Sequence, residues 1–568
     1  MISFHAPFGF RVCQGSLLNA DRSRIDTKSA RTCSNHQEND MRNVPVLLVA
    51  AVLLASGCVM VGPDFIPPPA PVSDDWLEKD EAQLTSATDH HEEWWSVFDD
   101  PVLNELVEEA SRQNLGLQGA GLRILEARAQ LGIATGNLYP QVQQVNVGAA
   151  TVGESRHAAN TIGGDLHFKD LTASLDAAWE LDFWGKFRRG VESADARYLA
   201  TIADYDDIMV TLTAEVARTY ILIRTTEERI RLAEESVATQ RRSLEIAENR
   251  FEGGLVTELD VQQARSLLAN TEALIPRFKV ELQRTQHALS VLLGTPPADL
   301  AAKLKVPGEG GGIPEVPAKV AVGIPADLLR RRPDIRRAEL QAAAQSPLIG
   351  VAKADLLPHF TLIGSIGLRS SESPLTAKGG SSFSDLVDSD SVTYFAGPSL
   401  SWDLLNYGRI RNEVRVQDAR FQQTIVNYQD TVLRAAREVE DAMAGFLRGQ
   451  EEAAFLAEAV TASRRSVEIA LLQYGEGLTD YQRVLDTQRG LTADQDNLTA
   501  TQGSVALDLV GMYKSLGGGW QMRDGQDRVP AKTRAEMADR TNWGGLLDPE
   551  KPAPAETTER PGWRWPDW

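Results

Sequence analysis

The sequence predicts a mixed α and β chain in which long antiparallel helical hairpins alternate with β-hairpins, four strands in all. Three observations carry that prediction. The chain repeats itself at an offset of 223 residues, each repeat holds two stretches of period-2 alternation, and each then carries a sustained apolar period of about 3.5 residues. The repeat is visible in anchors. Trp179-Glu180-Leu181 recurs as Trp402-Asp403-Leu404, Trp184-Gly185-Lys186-Phe187-Arg188 as Tyr407-Gly408-Arg409-Ile410-Arg411, and Phe251, Gly254 and Leu255 as Tyr474, Gly477 and Leu478. Upstream, Leu138-Tyr139-Pro140 matches Leu356-Leu357-Pro358 at an offset of 218. The residues that make up the difference belong in exposed loops between these anchors.

The strands follow from alternation. From Leu171 to Phe183 the odd positions Leu171, Ala173, Leu175, Ala177, Trp179, Leu181 and Phe183 are apolar, while Thr172, Ser174, Asp176, Glu180 and Asp182 are polar. Successive strand residues point to opposite faces, so this strand has one greasy face bearing Trp179 and one wet face bearing Asp176 and Asp182. In the second half Ala396, Pro398, Leu400, Trp402 and Leu404 alternate with Ser399, Ser401 and Asp403. Segments 141–153 and 359–369 alternate more weakly and are the expected partner strands. The connections 154–170 and 370–392 are polar and loop-like. A soluble sheet packed on its greasy face would show the same alternation. Strands of this length with bulky aromatics near one end also suit a membrane barrel.

A long helix is expected after each second strand. Tyr198, Ile202, Tyr205, Met209, Leu212, Val216, Thr219 and Ile223 step by four and three residues, and Phe421, Ile425, Tyr428, Val432, Ala435, Val439, Ala442 and Phe446 repeat the pattern. Residues 190–252 as one helix would reach roughly 90 Å at 1.5 Å per residue. Gly253-Gly254 and Gly475-Glu476-Gly477 break the two helices, and returning helices follow at about 258–293 and 481–516.

Composition agrees with extended helices. Aromatic residues are 7% of the 568, and the net charge of −21 disfavours a nucleic-acid partner, which would be repelled. No stretch after Cys58 reaches eighteen apolar residues, so any membrane crossing by the remainder needs a closed β-barrel. The N-terminal region carries an export signal. Met41-Arg42-Asn43 is a short basic start, the run from Val44 to Gly57 is apolar and ends in small residues, and Cys58 follows. Small residues leading into a Cys look like a bacterial lipoprotein signal, although Ala55 sits where such signals usually carry Leu. An ordinary signal peptide with an incidental Cys is the alternative. Met41 is the expected true start, the polar residues 1–40 being either a start-site artefact or an extension. The three cysteines are Cys13, Cys33 and Cys58, so processing at Cys58 leaves no disulfide pair and no thiol metal site.

Taken with these features, several motifs resemble one family. They are Val61-Gly62-Pro63-Asp64-Phe65, the run Trp94-Trp95-Ser96-Val97-Phe98-Asp99-Asp100-Pro101-Val102-Leu103, the segment from Leu328 through Arg330-Arg331-Arg332-Pro333-Asp334 to Glu339, and Leu516-Gly517-Gly518-Gly519-Trp520. The chain resembles outer-membrane efflux lipoproteins of the TolC superfamily, in the NodT/OprM-like branch, over residues 58–520. The resemblance implies a homotrimer: four strands per chain would close a twelve-stranded transmembrane β-barrel, and the helical hairpins would form a periplasmic α-barrel. It implies a periplasmic adaptor (membrane fusion) protein and an inner-membrane pump as partners, and a passive exit duct for drugs or other small molecules. A duct for type I protein secretion, and a lipid-anchored periplasmic coiled-coil scaffold without a pore, are the competing functions. The implied division is 1–57 extension and lipoprotein signal, 58–137 lipidated segment and equatorial helices, 138–189 first β-hairpin, 190–293 first helical hairpin, 294–355 linker and equatorial helices, 356–410 second β-hairpin, 411–516 second helical hairpin, and 517–568 C-terminal tail.

The resemblance also places function at the hairpin tips. Gly254, Leu255, Val256 and Thr257, with Gly477, Leu478, Thr479 and Asp480, would contact the adaptor. Asp486 and Arg489 would lie at the periplasmic aperture, where rings of charge can select ions. Two departures stand out: Gln263 occupies the first-half position equivalent to Asp486, and Gln482 stands where a relative has an apolar constriction. An ordinary solvated Asp486–Arg489 pair is the bland alternative. The arginines from Arg330 to Arg337 read as architecture, with Pro333 and Asp334 suited to a helix start.

No catalytic constellation, and no cofactor, is expected. His90-His91-Glu92-Glu93 lacks the i, i+4 ligand spacing of a metal site. Gly308–Gly312 reads as a linker and Gly517–Gly519 as a helix stop, since no Lys-Ser/Thr follows either. The lipoprotein signal gives the first prediction. Cys58 is expected to be acylated and to become the first residue of the mature chain, which mass spectrometry of the purified protein reads directly. An intact leader, or an unmodified Cys58 terminus, would overturn it.

Overall fold

The computed structural model describes residues 60–85, 92–157, 166–305, 312–317, 319–372, 383–523 and 527–548. From the N-terminal side the order is β1 (Leu84–Thr85), α1 (Pro101–Gln113), α2 (Leu115–Gly136), β2 (Val142–Gly153), β3 (His167–Glu180), α3 (Lys186–Glu252) and α4 (Glu258–Leu292). There follow β4 (Val320–Ala321), α5 (Leu328–Arg331), α6 (Pro333–Ala354), β5 (His359–Glu372), β6 (Val392–Ser401), α7 (Arg409–Gly475), α8 (Tyr481–Ser515) and α9 (Ala531–Arg540). The short strands β1 and β4 pair in parallel. The other four form one antiparallel sheet in the order β2-β3-β5-β6.

The repeat governs element lengths. α3 and α7 are each 67 residues and start 223 apart; α4 and α8 are each 35 residues at the same offset. α2 and α6 are each 22 residues at an offset of 218. The five residues of difference therefore fall inside the β-hairpins. At 1.5 Å per residue each 67-residue helix is about 100 Å long. α3 begins at Lys186, a turn earlier than the alternation suggested, because Asp182 lies beyond β3 and accepts from the amides of Phe187 and Arg188 at 3.1 and 2.9 Å. It is a helix cap rather than a member of the strand's wet face.

Register sorts the sheet cleanly. Leu175 stands opposite Val145 and Ile366, and Asp176 opposite Gln144 and Ser365. One face thus carries Val145, Val147, Leu171, Leu175, Ile366 and Leu400, with Trp179 on the same parity. The other carries Asn146, Ser174, Asp176 and Ser365, together with Ile363 and Phe395. Among the described residues no layer covers the apolar face: Val145 is 72% exposed and Ile366 56%. The alternative of a sheet packed on its greasy face is therefore not what the chain forms. Trp179 and Trp402 mark one end, and their indoles donate to the repeat-related carbonyls of Leu138 and Leu356 at 3.1 and 3.0 Å.

The main core is a belt around the middle of the long helices. Trp94, Leu103, Leu106, Met209, Tyr220 and Phe446 are nearly fully buried there. Trp94 stacks on Tyr513 with ring centroids 5.5 Å apart. Asp100 caps α1 and accepts from the Tyr220 hydroxyl at 2.6 Å, and the Arg224 guanidinium closes on that hydroxyl at 3.0 Å. All eight apolar-seam residues from Tyr198 to Ile223 are buried, whereas Phe421 and Ile425 at the start of the second seam are half-buried. α3 packs against α2, α4, α6 and α8; α7 packs chiefly on α6 and α8. The same sequence pattern is thus interior in one repeat and lies at an edge in the other, where Val426, Leu433 and Phe455 stay exposed.

The arginine-rich segment is architectural. Arg332 caps α6 from a buried position and donates to both Asp334 oxygens at 3.0 and 2.7 Å, to Glu438 at 2.8 Å and to the Ser515 carbonyl at 2.7 Å. Arg337 pairs with Asp204 and Asp207 on α3. The Trp520 indole then donates to the Arg331 carbonyl at 3.1 Å, fixing the chain after the Gly517–Gly519 stop. Of the remaining sequence readings, Gly308–Gly311, His90-His91 and the tail beyond Asp548 lie outside the described residues. Removing one partner of a buried, hydrogen-bonded charge group strands the others. Arg332→Ala is therefore expected to cost about 3–5 kcal/mol, read as a lowered midpoint of thermal unfolding. An unchanged midpoint would show that this junction between α6, α7 and α8 is dispensable.

Candidate functional site at the hairpin tips

Each long helix ends on a glycine turn. After α3, Gly254 takes φ +70° and the Leu255 amide returns to the Arg250 carbonyl at 2.9 Å; after α7, Gly477 takes φ +80° and the Leu478 amide returns to Gln473 at 2.8 Å. This is the left-handed helix stop that favours glycine. A Cβ on Gly254 would meet open space, so backbone conformation alone calls for glycine there. Leu255 and Leu478 point outward at 70% and 77% exposure. Val256 packs back on the tip cluster. Thr257 precedes α4, Thr479 is half-buried, and Asp480 caps α8 by accepting from the Arg483 amide at 3.4 Å.

Beneath the turns lies a second, smaller core of Ala247, Val261, Leu267, Tyr474, Tyr481 and Val484. Tyr474 and Tyr481 meet edge to face at 5.2 Å and are each 1% exposed. Their hydroxyls are partnered: Tyr474 donates to Asp260 at 3.3 Å, and Tyr481 lies 3.0 Å from the Ser243 hydroxyl. Burial pushes both phenols up, Tyr474 further because the Asp260 carboxylate disfavours a second negative charge. Both stay neutral at physiological pH.

Arg250 ties the two hairpins together. Its guanidinium sits over the Tyr474 ring at 4.9 Å and donates to the Tyr474 carbonyl and to that of Gly475 at 2.8 Å. One side chain from the first hairpin thus takes up carbonyls left orphaned at the end of α7. Sequence reasoning missed Arg250 and read Tyr474 only as a repeat anchor. The available signal was a break in the repeat: Tyr474 is the partner of Phe251, and Arg250 of Gln473.

The aperture candidates sit on α8 just past the tip. Asp486 is exposed and accepts from the Gln482 amide at 3.0 Å, and Gln263 on α4 reaches Gln482 at 3.5 Å. The first-half departure, Gln263, and the second, Gln482, are therefore brought together beside Asp486. Arg489 is not in that group. Among the described residues no ion pair joins it to Asp486; it lines a cleft with Arg229, Phe278 and Asp496. The N-terminal segment is placed by different contacts. The Val61 amide donates to the Trp184 carbonyl at 3.0 Å, and a Cβ on Gly185 would collide with Met60 at 2.6 Å. Residues 60–61 are thus held at the junction between β3 and α3. Cys58 itself lies outside the described residues. Among the described residues no cluster of His, Cys, Asp and Glu fits a metal, and no helix is long and apolar enough to cross a membrane.

Comparison with known proteins follows the same lines. The family model described as outer membrane efflux protein matches residues 106–295 and 324–518. The pyoverdine export outer membrane protein OpmQ of Pseudomonas putida is 31% identical over 437 residues, which cover 75% of this chain and 88% of that protein. The probable outer membrane lipoprotein SilC of Salmonella typhimurium is 29% identical over 492 residues, 84% of this chain and all of that one. Among solved structures, the outer-membrane channel OprN superposes with a TM-score of 0.75 at 31% identity, covering 81% of this chain and 99% of that chain.

Arg250 generates the prediction for this region. Arg250→Ala is expected to speed amide exchange at Gly475–Leu478 by about tenfold or more, since local opening there would lose its cross-hairpin ties. The belt should keep its protection. Unchanged exchange at the tip would mean that the Tyr474–Tyr481 contact holds it without Arg250.

Proposed function

Because the chain belongs to the outer membrane efflux protein family, we propose that it works as the lipid-anchored outer-membrane exit duct of a tripartite efflux pump. Three copies close one continuous passage. The observation that carries this reading is the four-stranded sheet. Both of its faces are open, its apolar face is bare, and the outer edges of β2 and β6 have no further partner among the described residues. In hydrocarbon every backbone donor and acceptor needs a protein partner, so such edges must close. Pairing β6 of one copy with β2 of the next gives twelve strands. The face of Val145, Leu175 and Ile366 then meets lipid, and the face of Asn146 and Asp176 meets water.

The helices extend the passage into the periplasm. Exposed Val426, Leu433 and Phe455 on the edge helix α7 supply the surface against the neighbouring copy. Cys58 is two chain steps before Met60, a span of at most about 7 Å. Acyl chains on Cys58 therefore enter the membrane beside the barrel's periplasmic rim. At the far end, exposed Leu255 and Leu478 on their glycine turns form the surface for the periplasmic adaptor, with Val256, Thr257, Thr479 and Asp480 holding the turns. The inner-membrane pump supplies the energy and the choice of cargo. The small molecules carried are drugs or comparable compounds.

Three-fold symmetry brings three Asp486 carboxylates round one opening. Like charges that close repel unless cations or guanidiniums sit between them. Among the described residues Asp486 has only Gln482, so its cationic partner in the closed ring is Arg489 of a neighbouring copy or a bound cation. Asp486→Ala and Arg489→Ala are each expected to raise single-channel conductance in planar bilayers, and divalent cations to block the wild type more than Asp486→Ala. Wild-type conductance and block in both variants would move the aperture towards Tyr481, Gln482 and Asp260. Absence of any channel, or a monomer in native mass spectrometry, would overturn the duct itself.

A further inference from the structure

A cleft of about 310 Å³ opens between α3, α4 and α8, two to four turns along α8 from the tip. It lies beside Pro276, the one proline inside α4. A helical proline has no amide to donate and its ring crowds the carbonyl four residues back, so the ladder is broken at Glu272. Leu232, Ala233, Leu267, Leu274 and Phe278 form an apolar wall, beside Ser236, Thr271, Thr492 and Gln495. The volume is at the small end of the range for organic ligands.

The charges are lopsided. Arg229 forms a two-pronged pair with Asp496, at 2.7 and 2.9 Å, and lies over the Phe278 ring at 4.4 Å. That pair is closed. Arg277 and Arg489 also line the cleft, both are exposed, and neither has an ion-pair partner among the described residues. Two free guanidiniums thus stand at the mouth of a greasy cleft, on a chain whose net charge is −21. Guanidiniums bind carboxylate and sulfonate in forked geometry, and the apolar walls favour a ring or short alkyl body.

We infer that this cleft is a binding site for small organic anions with an apolar body, the anion held by Arg277 and Arg489 and the body seated against Leu274 and Phe278. The site lies on α8 one turn beyond Asp486, so it gives anionic compounds a resting point behind a ring of carboxylates that would otherwise repel them. Occupancy also competes for Arg489 and so couples to the aperture. The site itself stands whether or not the duct reading does, because binding and conductance are measured separately.

The test is equilibrium binding by calorimetry on the full chain in nanodiscs of zwitterionic lipid, with empty nanodiscs as the blank. Naphthalene-2-sulfonate is the probe, and 2-naphthylmethylammonium the control of matched body and opposite charge. The sulfonate is expected to bind at least about tenfold more tightly than the ammonium, one forked charge-assisted contact being enough for that ratio. Arg277→Gln and Arg489→Gln should each weaken the sulfonate severalfold, and the double variant should abolish the preference over the ammonium. Leu274→Trp should block both probes by filling the cleft. If that variant fails to fold, the arginine variants decide. No saturable sulfonate binding by the wild type, or equal binding by the double arginine variant, would overturn the site.

Discussion

A backbone in hydrocarbon has no water to bond, and this single constraint shapes the chain from both ends. Four strands are too few to curl into a barrel of their own. They can be stable in a bilayer only by lending edges to other copies. The sheet is built for that: register gathers Val145, Val147, Leu175, Ile366 and Leu400 on one face, and among the described residues nothing covers them. Such a sheet would be an aggregation hazard in water. The belt core at the middle of the long helices supplies the stability that the sheet lacks as a monomer, and Asp182 couples the two by capping α3 directly after β3.

Internal repetition then does more than double the element count. Helices of 67 and 35 residues recur at one offset, yet their surroundings differ. α3 is enclosed on several sides and buries its whole seam. α7 lies at an edge and leaves apolar residues bare. A perfect repeat with two enclosed helices would have no surface left for a neighbour, and one with two edge helices would lack a core. The asymmetry is carried by what packs on each: the N-terminal α1 and α2, with Trp94 and Trp95, thicken the side of α3.

Much of this was legible in the sequence because periodicity is a local property. The 3.5-residue seam from Tyr198 to Ile223 marked a buried stripe, and the parity of Leu175 against Asp176 marked two faces. Glycine pairs located the turns, since Gly254 and Gly477 must take positive φ. Partners distant in sequence were not legible. Nothing near Arg250 announces that it crosses to the carbonyls of Tyr474 and Gly475, 224 and 225 residues away. Asp182 was misplaced for a related reason. Alternation continues past the end of β3, and only the helix start beyond it turns that carboxylate into a cap.

The same limit explains how Asp486 and Arg489 read in sequence. Asp486 and Arg489 are three residues apart on one helix, a spacing that can pair neighbours, and sequence alone reads them as one unit. The structure separates them. Gln482, one turn back, donates to Asp486, while Arg489 points into the cleft beside Pro276. A carboxylate satisfied by an amide keeps its full charge, and an unpaired arginine keeps its own. Each is therefore left available for a group outside its own chain. In the proposed trimer such an arrangement would be held shut by contacts between copies and released by whatever competes for them, which is what a passive gate requires.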